Sequence, residues 1–287
     1  MSFRARLVTY FVVVHLALAG LGGWLIAWLA MRFAGVPAAV GVVVGIVASA
    51  IVFKLLRPLA DKFFVVQINS HWPYLLEYAR DDRPSCWDRC IEAGAQCLAE
   101  IARANAADEI VVVGHSGGGV TAPAVVARAL ELDPELGRRG PRVVLLTPGS
   151  LMPGIGLHRG ASRVRRDIER IAVEPSILWI DVQARADILN FYNFDPVSGI
   201  GIDAGPGRRN PLVWVVRLRD MLAPEFFKKL TRSWFRMHYQ FIMANDFRAP
   251  YEYMMLVCGP VPVEHWARRG QEMLARFDRD ATYRPST

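Results

Sequence analysis

Ser116 lies in the run Val111–Gly119, VVVGHSGGG, with Gly114 and Gly118 two residues to either side of it. A serine hydroxyl is a weak nucleophile until a base takes its proton and a turn exposes it. The segment EIVVVG (109–114) is β-branched and apolar, as a buried strand is, and the stretch from about Val120 to Leu132 reads as a helix. Three chemistries compete for such a strand–turn–helix. It is a nucleophile on a strained turn, a phosphate-cradling loop, or a plain tight connection. A P-loop needs Gly-Lys-Ser/Thr after its glycines, and no lysine is present here. Gly117-x-Gly119-x-x-Ala122 fits the looser dinucleotide pattern, but the next apolar run ends in Thr147-Pro148, where that pattern wants a ribose-binding acid. The nucleophile turn accounts for more of the residues, since glycines two positions either side relieve its crowding. The purely structural turn stays open.

The elements around this turn alternate. FFVVQIN (63–69) predicts a strand, and WPYLLEYARD fits either a returning strand or a short helix. A cysteine-bearing helix, SCWDRCIEAGAQCLAEIARAN, precedes EIVVVG. After the 120–132 helix come RVVLLT (142–147), a helix around SRVRRDIERIAV (162–173), ILWIDVQA (177–184) and LVWVVRLRD (212–220). Apolar runs separated by helices predict an α/β domain, a mainly parallel sheet flanked by helices. The stretch 224–241 interleaves aromatics with Lys and Arg, and reads either as a headgroup-level segment or as an ordinary amphipathic element. The loops 150–160 and 196–211 either border a pocket or are plain surface turns.

The first fifth of the chain is different. The chain is 53% hydrophobic with a mean hydropathy of +0.21, and the excess is concentrated here. Leu7–Met31 and Phe33–Phe53 carry no formal charge, and each is of spanning length. They predict two transmembrane helices over residues 1–58, ahead of a domain at 59–287. Arg4 and Arg6 precede the first span, Lys54, Arg57 and Lys62 follow the second, and only Arg32 lies between. The positive-inside rule then predicts a cytoplasmic domain on a two-span membrane hairpin. Gly41, Gly45 and Ser49 form a small-residue stripe suited to packing against the first span, and His15 is expected near the interface.

A net charge of +7 comes without a long basic run, which argues for an anionic membrane neighbour rather than nucleic acid. Cys86, Cys90 and Cys97 fall on one helix face with Ile101 and are expected as buried thiols. No metal-ligand spacing or cofactor motif is present, so neither metal nor cofactor is expected.

The Gly-His-Ser-Gly-Gly turn between strand and helix resembles the α/β-hydrolase superfamily, and its lipase and esterase members most, over roughly residues 60–270. The resemblance implies a triad in the chain order serine, acid, histidine. Ser116 would be the nucleophile. Asp187, just past ILWIDVQA, would be the acid, with Asp195 in reserve and Asp181 structural or facing solvent. His238 would be the base, with His265 preferred if YMMLVCG (253–259) were the last strand. Gly114, Gly117 and Gly118 would shape the elbow. The Gly117 N–H would be one oxyanion donor, and the second would come from a loop around Asn69–His71, including Ser70. The chain lacks the HGGG pattern of many esterases, the usual amino-terminal strands and a distinct cap. The implied activity is cleavage of a lipid or small acyl ester through an acyl-enzyme. The alternatives are a membrane-tethered interaction protein without turnover, and an acyltransferase using the same triad. The oligomeric state stays open.

Overall fold

A computed structural model describes residues 3–62, 65–82, 84–278 and 282–284. The chain divides into a unit ending at Pro73 and a unit beginning at Tyr74.

In the first unit, α1 (Phe3–Phe33) and α2 (Ala38–Lys62) pack against each other as a hairpin. Val13–Phe33 and Ala38–Pro58 are each 21 residues of apolar helix. At about 1.5 Å per residue each matches the ~30 Å hydrocarbon core of a bilayer. They are two helices long and apolar enough to span a membrane. Their outward faces carry exposed Leu16, Leu21, Trp24, Val42, Ile46 and Ile51. The small-residue stripe faces the partner helix, as expected. A methyl on Gly45 would come within 3.0 Å of Ala27 Cβ, and one on Gly41 within 2.6 Å of Met31 Cγ. His15 departs from expectation. It is buried between the helices, 6% exposed, with Nε2 3.2 Å from the Phe53 carbonyl oxygen. A polar ring inside an apolar hairpin needs such a partner.

The strand predicted over 63–69 is not there. Phe63 and Phe64 lie outside the described residues, and helix α3 runs from Val65 to Ala79. The β-branched pair suggested a strand, but the next residues bury Leu75, Tyr78 and Ala79 at helical spacing.

The second unit is built on four parallel strands in the order β1-β2-β3-β4. They are β1 (Glu109–Val113), β2 (Arg142–Pro148), β3 (Ile177–Ala184) and β4 (Leu212–Val216). The register pairs Val111 with Val144, Leu146 with Ile180, and Val182 with Trp214. Helix α4 (Asp88–Ala104) precedes β1, α5 (Gly118–Leu132) joins β1 to β2, and α6 (Met152–Gly156) and α7 (Ser162–Val173) lie between β2 and β3. After β4 come α8 (Pro224–Leu230), α9 (Trp234–Tyr239), α10 (Tyr253–Cys258) and α11 (Val263–Ala275). Val144, Leu146, Ile180, Val182 and Val216 pack with Leu230, Met237, Leu256 and Trp266 of these last helices in one apolar core. That burial fixes α9, and with it residue 238, over the sheet.

One open alternative is decided and one expectation is corrected. YMMLVCG is helical, α10, so the condition that favoured His265 is not met, and His265 begins α11. The cysteines are exposed, all four of them. The buried stripe of α4 is Ile91, Ala95, Leu98, Ala99 and Ala102, which turns Cys90, Cys97 and Ile101 outwards.

Candidate active site

β1 delivers the serine. Its ladder continues one residue past the strand through Gly114 N–H to the Leu146 carbonyl, 2.9 Å, and the chain then turns sharply. Ser116 sits at φ +59°. Among the described residues the other left-handed ones that are not glycine are Asn105 and Asn193, a type that tolerates this region, whereas serine carries a Cβ penalty of about 1 kcal/mol. The strain is held by α5, which begins at once: Gly118 N–H donates to His115 O at 2.8 Å and Gly119 N–H to Ser116 O at 3.0 Å. Gly114 is required by close approach, since a side chain there would meet the Gly118 carbonyl and Ala122 Cβ, the latter at 2.7 Å. Gly118 has open space at the same position.

β3 delivers the acid. Asp187 lies three residues past its end, 2% exposed. Its Oδ1 accepts from Leu189 N–H at 2.9 Å and its Oδ2 from Asn190 N–H at 3.1 Å. Asn190 locks the loop by donating to the Ala184 and Asp187 carbonyls, 2.7 Å each, and accepting from Ala184 N–H at 3.1 Å. Ordering by its own loop leaves Asp187 Oδ2 also facing His238 Nδ1 at 2.7 Å.

α9 delivers the histidine. His238 is 1% exposed. A carboxylate only accepts, so Nδ1 carries a proton, and in the neutral tautomer that this fixes the lone pair is at Nε2. That Nε2 is buried and has no hydrogen-bond partner among the described residues. Asp187 and His238 thus form a buried, oriented pair, with Nε2 of the ring unpartnered among the described residues.

Two contacts tie the serine turn to this pair. Gly149, at φ +58°, lies where a Cβ would be 3.3 Å from His238 Cε1, and two residues on Leu151 N–H donates to the Ser116 carbonyl at 3.0 Å. The 150–160 segment, which carries α6 rather than being a plain loop, therefore borders the serine turn at Leu151. The second contact is His115, the residue just before the serine. Its ring packs 4.7 Å from that of His238, and its Nε2 lies 3.1 Å from the His238 carbonyl oxygen. Since the carbonyl accepts, His115 Nε2 carries the proton. Burial first, and the adjacent His238 next, push its pKa down to about 4, so this ring is neutral near pH 7.

The remaining candidates do other things. Asp181 is buried in β3, accepting from Thr147 Oγ1 at 2.6 Å and Gln183 Nε2 at 2.8 Å, and burial pushes its pKa up to about 6. It is structural. Asp195 pairs with Arg208 at 2.7 Å and caps the turn at Val197. Asn69, Ser70 and His71 lie inside α3, not on a loop, and mid-helix N–H groups are committed to the helical ladder. They are withdrawn as the source of the second oxyanion donor. A cleft of about 640 Å³ lies apart from the pair, between α4, α5 and α7. Its Arg128, Arg163, Arg166 and Arg170 are all paired with acids. Among the described residues no cluster of His, Cys, Asp and Glu could hold a metal ion.

What the fold and site define is a parallel α/β domain with a serine on a strained turn after one strand and an Asp–His pair after later ones. Beyond that class, comparison with known proteins finds no match: no family model, no curated protein and no solved structure is similar to this chain.

Proposed function

We propose that the protein is a membrane-anchored serine hydrolase of the lipase or esterase type that cleaves an acyl ester. The observation that carries this reading is the buried 2.7 Å contact between Asp187 and His238, with His238 Nε2 left unpaired beside a serine turn held at φ +59°. A buried, unsatisfied ring nitrogen costs roughly 1–3 kcal/mol, a cost that is understandable where the atom's task is to accept a proton.

In the proposed reaction His238 Nε2 takes the Ser116 proton as Oγ attacks the ester carbonyl. Asp187 holds the ring in the Nδ1–H form and stabilises the imidazolium. The Gly117 N–H, at the start of α5, donates to the oxyanion. Collapse expels the alcohol, which takes the proton from His238, and leaves an acyl-Ser116. Water then attacks, His238 again accepting and returning a proton, and releases the carboxylic acid and Ser116. The neutral His115 adds no competing cation next to His238.

The two long apolar helices and the Lys/Arg asymmetry around them support a reading in which the domain is tethered to the cytoplasmic side of a membrane. The test is turnover of a water-soluble p-nitrophenyl ester by the full chain in detergent. Activity lost in Ser116→Ala and in His238→Ala supports the proposal, and wild-type activity retained in both sinks it.

A further inference from the structure

The outer face of α8 and α9 interleaves cations with large apolar groups. Between residues 224 and 242 there are four cations, Lys228, Lys229, Arg232 and Arg236, and a single carboxylate, Glu225. All four cations are exposed, and none is in an ion pair among the described residues. On α5 and α7, by contrast, Arg128 is tied to Glu92 and Arg163 to Asp88, each at 2.7 Å, and Arg166 and Arg170 also pair with acids. Large apolar groups stand between the cations. Phe226 is 41%, Tyr239 40% and Met243 54% exposed, and Trp234 and Phe235 are half-buried.

These rings form a continuous row. Trp234 meets Phe235 at 5.7 Å and Phe235 meets Tyr239 at 4.6 Å. Tyr239 meets His115 at 5.2 Å, and His115 meets His238 at 4.7 Å. The row begins on the exposed face and ends at the histidine of the candidate site. Its outer end, exposed Tyr239 with half-buried Trp234 and Phe235, stands among the exposed cations Arg232 and Arg236.

We infer that this face is a seat for an anionic lipid surface. Lys and Arg reach lipid phosphates while their stems and the interleaved aromatic rings settle at the headgroup boundary. Each such cation adds appreciable attraction to an anionic leaflet. A nucleic acid or an acidic protein would use the cations but would leave Phe226 and Met243 unsatisfied. The chain also begins with two apolar helices of spanning length, which would keep the domain at a bilayer. Resting on the hydrolase reading, the inference narrows the substrate to an ester carried in an anionic bilayer, whose chain would enter along the Trp234–Tyr239 row.

The test uses the full chain in nanodiscs of phosphatidylcholine alone or with phosphatidylglycerol. Trp234 emission, isolated as the difference between wild type and Trp234→Phe, is read against brominated acyl chains. Quenching is expected in the anionic discs, weaker in the neutral ones, and is expected to be lost in Lys228→Gln/Lys229→Gln/Arg232→Gln. A long-chain ester in the anionic discs should be cleaved about tenfold more slowly by that variant, with the soluble p-nitrophenyl ester rate unchanged. Equal quenching in both discs, or none in either, overturns the inference. Charge-dependent quenching with no ester cleaved by wild type upholds the seat and overturns the hydrolase reading instead.

Discussion

His238 Nδ1 lies 2.7 Å from Asp187 Oδ2 with both side chains sealed from solvent, and the two residues are 51 positions apart in the chain. Asp187 serves its own loop as well, through Leu189 and Asn190. Its replacements should therefore separate chemistry from stability. Asp187→Asn retains an acceptor for the loop but can no longer stabilise an imidazolium, and turnover should fall by about three to four orders of magnitude. Asp187→Ala should lose as much activity and also about 3 kcal/mol of stability, because three buried donors lose their acceptor. Rates for an ester and thermal melts in detergent check both, and an active Asp187→Asn removes the acid from the account.

The strain at Ser116 is measurable without any substrate. Glycine has no Cβ to oppose φ +59°, so Ser116→Gly should be about 1 kcal/mol more stable than Ser116→Ala, both being inactive. Equal melting of the two variants would show that the turn holds no strain.

The flanking glycines differ in their reasons. Gly114→Ala should cost about 1–3 kcal/mol, because a Cβ would sit 2.7 Å from Ala122 Cβ. Gly118→Ala, at the first position of α5 with open space around it, should be neutral or stabilise by up to about 1 kcal/mol. Comparable losses in both would place the packing of α5 on β1 elsewhere.

His115 gives a pH prediction. Its pKa is depressed from 6.5 to about 4, by burial first and His238 next. The unfolded chain therefore binds a proton that the folded one refuses, and stability present above pH 6.5 is lost as pH falls towards 4. The loss is on the order of 2 kcal/mol. Asp167 and Asp181, both pushed up to about 6 by burial, act oppositely: their contribution is full below about pH 4 and lost as pH rises through 6. The wild-type profile thus mixes opposing slopes, and the difference from His115→Gln isolates one of them. That variant should lose less stability than wild type between pH 7 and 4.5, and parallel profiles would contradict a neutral His115.

Much of this was legible in the chain. The 177–184 strand and the 162–173 helix fall on the residues expected of them, because a fully buried apolar run and an amphipathic period leave little choice of boundary. Asp187 and His238 are named through the resemblance, which implies the chain order serine, acid, histidine, and the structure brings the two into contact at 2.7 Å. FFVVQIN misled because two β-branched residues outweighed the helical burial of Leu75, Tyr78 and Ala79 a few residues on. The cysteines misled because two apolar stripes compete on α4 and alanines won the inner face. The packing of His115 on His238 spans 123 positions, and no local pattern carries it.

The most direct test of the central claim is covalent. The full chain in detergent is treated with a fluorophosphonate probe, which phosphonylates only a serine whose hydroxyl is activated. Labelling that is present in wild type, absent in Ser116→Ala and strongly slowed in His238→Ala is the predicted result. A folded wild type that takes no label, or a Ser116→Ala variant that still does, contradicts it.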